Sequence, residues 1–461
     1  MATQGDLDAA ATVARLRGTF ETRRTRDLAW RRNQLEALRR LVLQDEPRLI
    51  AALQADFAKP AFETQVTETR NVVWEIDHAL PRLDRWMRGR RVSVPWAMWP
   101  GSGRIMPEPL GLALIIAPWN YPVQLLLSPL VGALAAGNCA VLKPSELTPH
   151  TSAALTELVP RYLDRDAVAI VTGGAEASTA LLAEKFDHVF FTGGARVGRV
   201  VMEAAAKHLT PVTLELGGKS PCVVAADADL KITAERIMWG KFLNAGQTCV
   251  APDYVLVERS RHDALVEAFA ATIRRFFGAD PKASPDFARI VNRNHAERLA
   301  GYLAGGRVAA GGEVDLAARY IAPTILTDVS TDAPVMREEI FGPILPVLKV
   351  DDIGAAIAFI NARDKPLALY LFTGDAAVRG QVLGGTSSGG VAVNDVVVQL
   401  SVPELPFGGV GMAGFGRYHG RAGFELFSNM KSVLMRRLLP EPPLRTVPHS
   451  DAKLRWIDRL M

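Results

Sequence analysis

From Pro109 to Leu142 the chain carries no charged side chain, and no other segment constrains the fold as much. About 20 apolar residues are enough for a helix to cross a bilayer. Here Pro118, Asn120, Pro122, Gln124, Pro129 and Asn138 interrupt the run. Backbone groups freed at such breaks find no partner in lipid. The stretch is therefore read as strand, loop, helix and strand, buried in a soluble core. Only a large body can enclose it. The 461 residues, 49% hydrophobic and 22% charged, suit two or three domains rather than one core.

The flanking pattern extends this reading. Residues 8–56 repeat leucines and valines at helical spacing (Leu28, Leu35, Leu38, Leu41, Val42, Leu49, Leu53), which predicts amphipathic helices with solvated Arg/Glu faces. Short apolar runs then alternate with helical patterns. Strands are expected at "LALII" (112–116), "CAVLK" (139–143), "VAIVTG" (168–173), "HVFFT" (188–192) and "PVTLEL" (211–216), and a helix at "RVGRVVMEAAAKHL" (196–209). Apolar strands separated by helices predict a parallel α/β sheet covered on both faces. A second alternating series runs from about 233 to 398. "RVSVPWAMWPGSGRIMPEP" (91–109) predicts a hairpin around Pro100–Gly103, a candidate arm for subunit contact.

Charge and cysteine usage exclude several classes. The net charge is +4, and from Lys431 onward seven bases oppose three acids, so the body is close to neutral. A nucleic-acid surface is not implied. Three cysteines, Cys139, Cys222 and Cys249, form no CxxC pair, which fits a reducing cytoplasm. Eight scattered histidines give no HExxH and no ligand cluster, so no metal site is expected. The N-terminus lacks the pattern of a signal or transit peptide.

Several short motifs carry chemistry. "FFTGGARVGR" places Gly193 and Gly198 after a strand and at the start of a helix, where phosphates are favoured. Its GxxxxG spacing is not GxGxxG, and Arg199-Val200 replaces the Lys-Ser/Thr of a P-loop. By itself the loop is equally a dinucleotide site or a structural turn. "GVGMAG" (409–414) matches GxGxxG but has no strand leading into it, and is read as a tight turn. "GTSSG" (385–389) puts helix before Ser387 and strand after it, the reverse of a nucleophile elbow. Glu215 ends a strand before Gly217-Gly218. Desolvated there, it suits a general base; a surface or ion-paired carboxylate is the alternative. Cys139 and Cys222 read as small buried hydrophobes. Cys249 follows Gly246-Gln247-Thr248, turn chemistry that exposes a thiol. An ordinary thiol is only a few per cent ionised at neutral pH and needs a nearby cation, base or helix end to react.

In order, "PWNYP" (118–122), "LKPSE" (142–146), "FFTGGARVG" (190–198), "LELGGKSP" (214–221), "NAGQTCVAPDY" (244–254), "EEIFGPILP" (338–346) and "LPFGGVGMAGFGRYHG" (405–420) make the chain resemble an aldehyde dehydrogenase. The short class 3 (family 3) branch is the most similar, over about residues 10–435. The resemblance implies two Rossmann-like parallel-sheet domains plus a small β oligomerisation arm. Residues 1–90 and 107–214 would bind NAD(P), 215–398 would form the catalytic domain, 91–106 with about 415–436 the arm, and 437–461 a basic tail.

It also implies roles. Cys249 is the nucleophile, Glu215 the base that activates water, and Asn120 the oxyanion donor. Lys143 and Glu146 hold the adenosine ribose. Thr192, Gly193, Gly194 and Gly198 lie by the pyrophosphate. Glu339 holds the nicotinamide ribose beside Phe341. The expected reaction passes through a thiohemiacetal and, after hydride loss, a thioester that water hydrolyses. A cysteine esterase or acyltransferase without hydride transfer is the alternative.

Tyr121, Met238, Trp239 and Gln399 are candidates for the substrate pocket, with packing in the core the alternative for Tyr121, Met238 and Trp239. Gln399 stands where class 3 members often have His, and Gly194 and Ala413 where many relatives have Ser. A carboxylate such as Glu146 bonds the 2′-hydroxyl of NAD and repels a 2′-phosphate. NAD is therefore expected, with NADP use left open. Expected partners are an aliphatic or aromatic aldehyde and a second copy of the chain in a homodimer. Neither nucleic acid nor a membrane span is expected: "LRWIDRLM" is basic, amphipathic and too short to cross a bilayer.

Overall fold

The uncharged stretch folds into strand Leu112–Ile116, helix Gln124–Ala136 and strand Cys139–Lys143, every residue of which is buried. The strands pair in parallel, Leu112 against Cys139 through Ile116 against Lys143. Side chains alternate across a sheet. Ala113, Ile115, Ala140 and Leu142 enter one core, while Leu112, Leu114, Cys139 and Val141 enter another on the opposite face. Two buried faces explain why the run shows no polar alternation. Gly137, at φ 89°, ends the helix. A side chain there would press on the Arg31 guanidinium, which donates to the Ala135 carbonyl (3.0 Å) and satisfies the helix end.

The structure is a computed structural model and describes residues 9–95, 98–439, 443–444 and 446–460. The first sheet has six strands in the order Gly414–Phe415, Val212–Glu215, His188–Thr192, Leu112–Ile116, Cys139–Lys143, Val168–Ile170. The N-terminal helices Ala9–Glu21, Leu28–Gln44 and Glu46–Phe57 cover it with Leu16, Leu35, Leu38, Leu41, Leu49 and Leu53. The second sheet has seven strands: Arg307–Ala310, Thr324–Thr327, Ile344–Val350, Tyr254–Glu258, Pro221–Val224, Ala368–Phe372, Gly390–Val393.

Neither sheet is purely parallel. Gly414–Phe415 runs antiparallel to Val212–Glu215, and Arg307–Ala310 antiparallel to Thr324–Thr327. Edge positions tolerate this because no crossover helix has to cover them. A third, antiparallel sheet joins Arg90–Val92, Gly101–Pro109 and Ser428–Arg436. Its middle strand pairs without a break from Gly101 to Pro109, three residues past the expected boundary at 106. Val92 pairs with Gly103, so Arg90–Val92 and the middle strand form the hairpin expected around Pro100–Gly103. Trp96 and Ala97 lie outside the described residues, as do residues 1–8 and, in the basic tail, 440–442, 445 and Met461. The tail ends in helix Asp451–Leu460. No helix among the described residues is long and apolar enough to cross a membrane.

Candidate active site

Cys249 sits where the two large sheets meet. Helix Leu230–Phe242 leads into a tight turn in which Asn244 (φ 54°), Ala245 (φ 51°) and Gly246 (φ 75°) all take left-handed conformations. A side chain at Gly246 would overlap the Gly342 carbonyl, so glycine is required by both backbone and space. Non-glycine residues resist this conformation, and the surroundings must hold it. Gln247 does so. Its amide donates to the carbonyls of Asn244 and Arg289 (both 3.0 Å) and accepts from Val291 N–H (2.9 Å). The "GQTC" signature is thus a clamped turn that leaves one thiol at its end.

That thiol differs from the other two. Cys139 and Cys222 are buried, whereas Cys249 is partly exposed and borders a cavity of about 310 Å³. Backbone N–H groups of Cys249 and Val250 donate toward the sulfur. Desolvation outweighs them, with the Glu339 and Glu215 carboxylates adding to it, and pushes the thiol up to about 12. Without a bound cation the sulfur is therefore held as a thiol.

Asn120 reaches the same loop from the first sheet. Its side-chain amide donates to the Gln247 carbonyl (3.0 Å), and Asn244 donates to the Asn120 carbonyl (2.9 Å). Glu215 closes strand Val212–Glu215, is 3% exposed, and has no hydrogen-bond partner on either carboxylate oxygen. Burial raises its pKa well above the usual carboxylate range, with Arg417 opposing weakly. The "GVGMAG" turn backs it: Gly414 pairs with Glu215, and a side chain at Gly414 would overlap the Leu214 carbonyl. A tight turn is the correct reading of that motif.

A second cavity of about 840 Å³ lies on the other side, lined by Gly194, Gly217, Lys219, Glu339 and Met412 among others. Gly194 stands before helix Ala195–Ala206 with open space where a side chain would go. Gly193 N–H donates to the Glu215 carbonyl (3.0 Å), and Gly198 packs against Leu216. Gly217 touches Glu339 so closely that a Cβ would overlap its carboxylate. Glu339 Oε1 and Thr192 Oγ1 are buried without partners. Burial first, then the Asp253 charge, raises Glu339 to about 8. Lys143 ends its strand and bonds Glu146 (3.1 Å) and the Pro144 carbonyl (3.0 Å). Phe341, at φ 52°, meets Trp119 edge-on with ring centroids 5.3 Å apart. An open helix N-terminus and unpartnered oxygens beside a roomy cleft fit a dinucleotide.

The substrate-pocket candidates separate. Tyr121 and Trp239 line the smaller cavity with Val250, Val397, Phe407 and Tyr418. Met238 does not; it is fully buried in the core of the second sheet. Adjacent helical residues point about 100° apart, so Trp239 and Met238 cannot share a face. Gln399 does not line the cavity either: its amide meets the Tyr370 hydroxyl (3.3 Å), which in turn donates to the Val250 carbonyl. Sequence reading missed Trp74, Leu400 and His419, which also line the cavity. It missed Lys241 as well, a fully buried amine without a partner, which burial pulls down to about 8. Among these, only His419 stood inside a recognised motif.

Comparison with known proteins gives the family. The aldehyde dehydrogenase family profile matches residues 1–433. Aldehyde dehydrogenase family 3 member A2 of Rattus norvegicus is 49% identical over 446 residues, 96% of this chain and 92% of the relative. A substrate-bound Staphylococcus aureus AldH superposes with a TM-score of 0.95 at 42% identity, covering 98% of both chains. An NAD-dependent aldehyde dehydrogenase from Sinorhizobium meliloti gives a TM-score of 0.86 at 31% identity, covering 94% of this chain and 88% of that one. The chain belongs to the aldehyde dehydrogenase family of NAD(P)-dependent oxidoreductases.

Proposed function

We propose that Cys249 attacks the carbonyl carbon of an aldehyde and carries it through to a carboxylic acid. The observation that carries this reading is that Cys249, alone among the three cysteines, borders a cavity, within the field of two buried carboxylates. Attack by the thiolate gives a thiohemiacetal whose oxygen carries negative charge. The Asn120 amide and the Cys249 N–H are the donors for it; one such donor is typically worth on the order of 10²–10³ in rate. A nicotinamide held beside Glu339 and Phe341 would supply the hydride acceptor for that carbon, and with the hydride gone the acyl group stays on sulfur as a thioester. Glu215, with both oxygens free, removes a proton from water as it attacks the thioester, and the acid departs.

Thr192, Gly193, Gly194 and Gly198 are assigned to the pyrophosphate, and Lys143 and Glu146 to the adenosine ribose. Glu339 and Phe341 are assigned to the nicotinamide side. Residues 1–90 and 107–214 then form the cofactor domain, 215–398 the catalytic domain, and the third sheet the arm of a homodimer. Glu146 favours NAD over NADP by charge. Replacing it with glutamine should lower the KM for NADP by about tenfold, one like-charge repulsion removed, and change that for NAD little. A Gly217→Ala side chain would displace the Glu339 carboxylate. It should weaken cofactor binding about tenfold, the worth of one hydrogen bond to a charged group, with thermal stability maintained. Titration of cofactor fluorescence measures this.

Aliphatic and aromatic aldehydes, each offered with NAD and with NADP, test the whole reading. Aldehyde-dependent growth of reduced-nicotinamide absorbance is expected. Turnover of esters with no such signal would overturn it in favour of a cysteine esterase.

A further inference from the structure

Two fully buried, oppositely charged residues stand outside the machinery described so far. Lys59 and Glu68 are both inaccessible to solvent and form an ion pair of 2.7 Å. Every acceptor of Glu68 is committed. Its Oε1 takes Lys59, and its Oε2 takes the backbone N–H groups of Val123 (3.0 Å) and Gln124 (2.9 Å). Those amides open helix Gln124–Ala136, directly after Asn120 and Tyr121. The Lys59 ammonium also lies 3.9 Å from the centroid of the Tyr121 ring, a cation–π contact between buried side chains. The Tyr121 hydroxyl meets Thr248 Oγ1 at 2.6 Å, and Thr248 precedes the nucleophile. Glu63, on the same stretch, accepts the backbone N–H of Asn244 (2.9 Å) at the head of the clamped turn.

The backbone carrying these residues is itself irregular. Gln65–Thr69 is a turn of π-helix between Ala61–Thr64 and Arg70–Ala79. Such turns re-aim side chains and concentrate at functional sites. Here the π-turn includes Glu68 and begins two residues after Glu63.

Stability is a weak explanation for the pair. Hydrophobic replacement of a buried ion pair is often neutral or stabilising. Geometry gives a stronger one. Asn120 follows a strand of the first sheet, while Thr248 and Cys249 precede a strand of the second. Residues 59–68 touch both segments. Building on the assignment of Cys249 and Asn120 above, we propose that Lys59 and Glu68 are positioning residues. They hold the Asn120–Tyr121 segment in register with Thr248–Cys249, acting through Tyr121 and the amides of Val123 and Gln124.

The test uses acylation of Cys249 by p-nitrophenyl acetate, which needs no cofactor and reads the nucleophile and its oxyanion donors directly. In a Lys59→Met/Glu68→Gln variant the first-turnover release of nitrophenolate should slow roughly 10–100-fold, the scale expected for misplacement of reacting groups by about 1 Å. The melting temperature and the dissociation constant for NAD should stay close to wild type. Adding Tyr121→Phe should cost little more, because both changes break one linkage. A folded double variant that acylates at the wild-type rate overturns the proposal, as do fully additive losses.

Thr248→Val against Thr248→Ser probes the linkage without disturbing the ion pair, and so decides the matter if the double variant does not fold. Valine should slow acylation and serine restore it; equal rates would overturn the proposal. A wild-type chain that releases no nitrophenolate would instead count against the assignment of Cys249.

Discussion

Replacing Cys249 with alanine is expected to lower aldehyde oxidation by roughly 10⁴-fold or more, the usual scale for loss of a covalent nucleophile. Cofactor binding should survive, because the cavity lined by Gly194, Gly217 and Glu339 does not include the sulfur. The same geometry makes a chemical prediction. Cys139 and Cys222 are buried, so brief iodoacetamide treatment of the folded chain should label Cys249 alone. Its thiol lies at about 12 before any ligand binds. Only the thiolate alkylates, so the labelling rate should rise about tenfold per pH unit between pH 7 and 10. Mass spectrometry of digested peptides reads both results. Retained turnover in the alanine variant, or equal labelling of all three thiols, would contradict the assignment.

The second large effect is expected at Glu215. Replacement with glutamine keeps shape and removes the base. Release of acid should slow by about 10²–10⁴, the range for one general base, while the first turnover of hydride transfer is nearly preserved. A burst followed by a stalled steady state is the signature in stopped-flow absorbance. The sign of the pH dependence follows from burial. The folded-state pKa of Glu215 is raised well above its usual value, so the base is protonated at low pH and deacylation should accelerate as pH rises. The stability consequence runs the other way. Below the unfolded pKa near 4.3 the carboxyl is neutral in both states and costs nothing on this account. As pH rises from there toward the folded pKa, ionisation favours the unfolded chain and stability falls. The glutamine variant has no such proton to lose. It should melt above wild type at pH 8 and close to it at pH 4, so that activity and stability move in opposite directions. A variant that releases acid at the normal rate would reject the base assignment.

How far the sequence could be read depended on the range of the interaction concerned. Five of the six strands of the first sheet were legible because each is a short apolar run closed by glycine, proline or a charged end; the sixth, Gly414–Phe415, has no such pattern. Their pairing order was not, since it places Gly414–Phe415 beside Val212–Glu215 and no local pattern encodes that. Cys249 and Glu215, the proposed nucleophile and base, could be singled out because they sit inside dense motifs with distinctive turn chemistry. The lining of the smaller cavity was only partly legible. Trp239 and Met238 look alike as letters, and a helix phase decides which faces the cavity. Gln399 stands behind Val250 through Tyr370, a relationship fixed by the folded chain rather than by spacing. Lys59 and Glu68 lie beyond the helical spacing read over residues 8–56, and no motif singles them out. Their burial depends on segments that arrive later in the chain, at Tyr121 and Val123. A charged residue gives no sign in sequence that its partner will exclude water from it.

The short edge strand at Gly414–Phe415 also has a consequence for biosynthesis. Glu215 emerges from the ribosome long before the strand that flanks it. The intervening two hundred or so residues take roughly 10–40 s to translate at ordinary rates. Until then Glu215 lacks its flanking strand, and on the proposed roles Cys249 would have no base in place to hydrolyse what it captures. On that reading the site is assembled only once Gly414–Phe415 has been made, not when the first half of the chain folds.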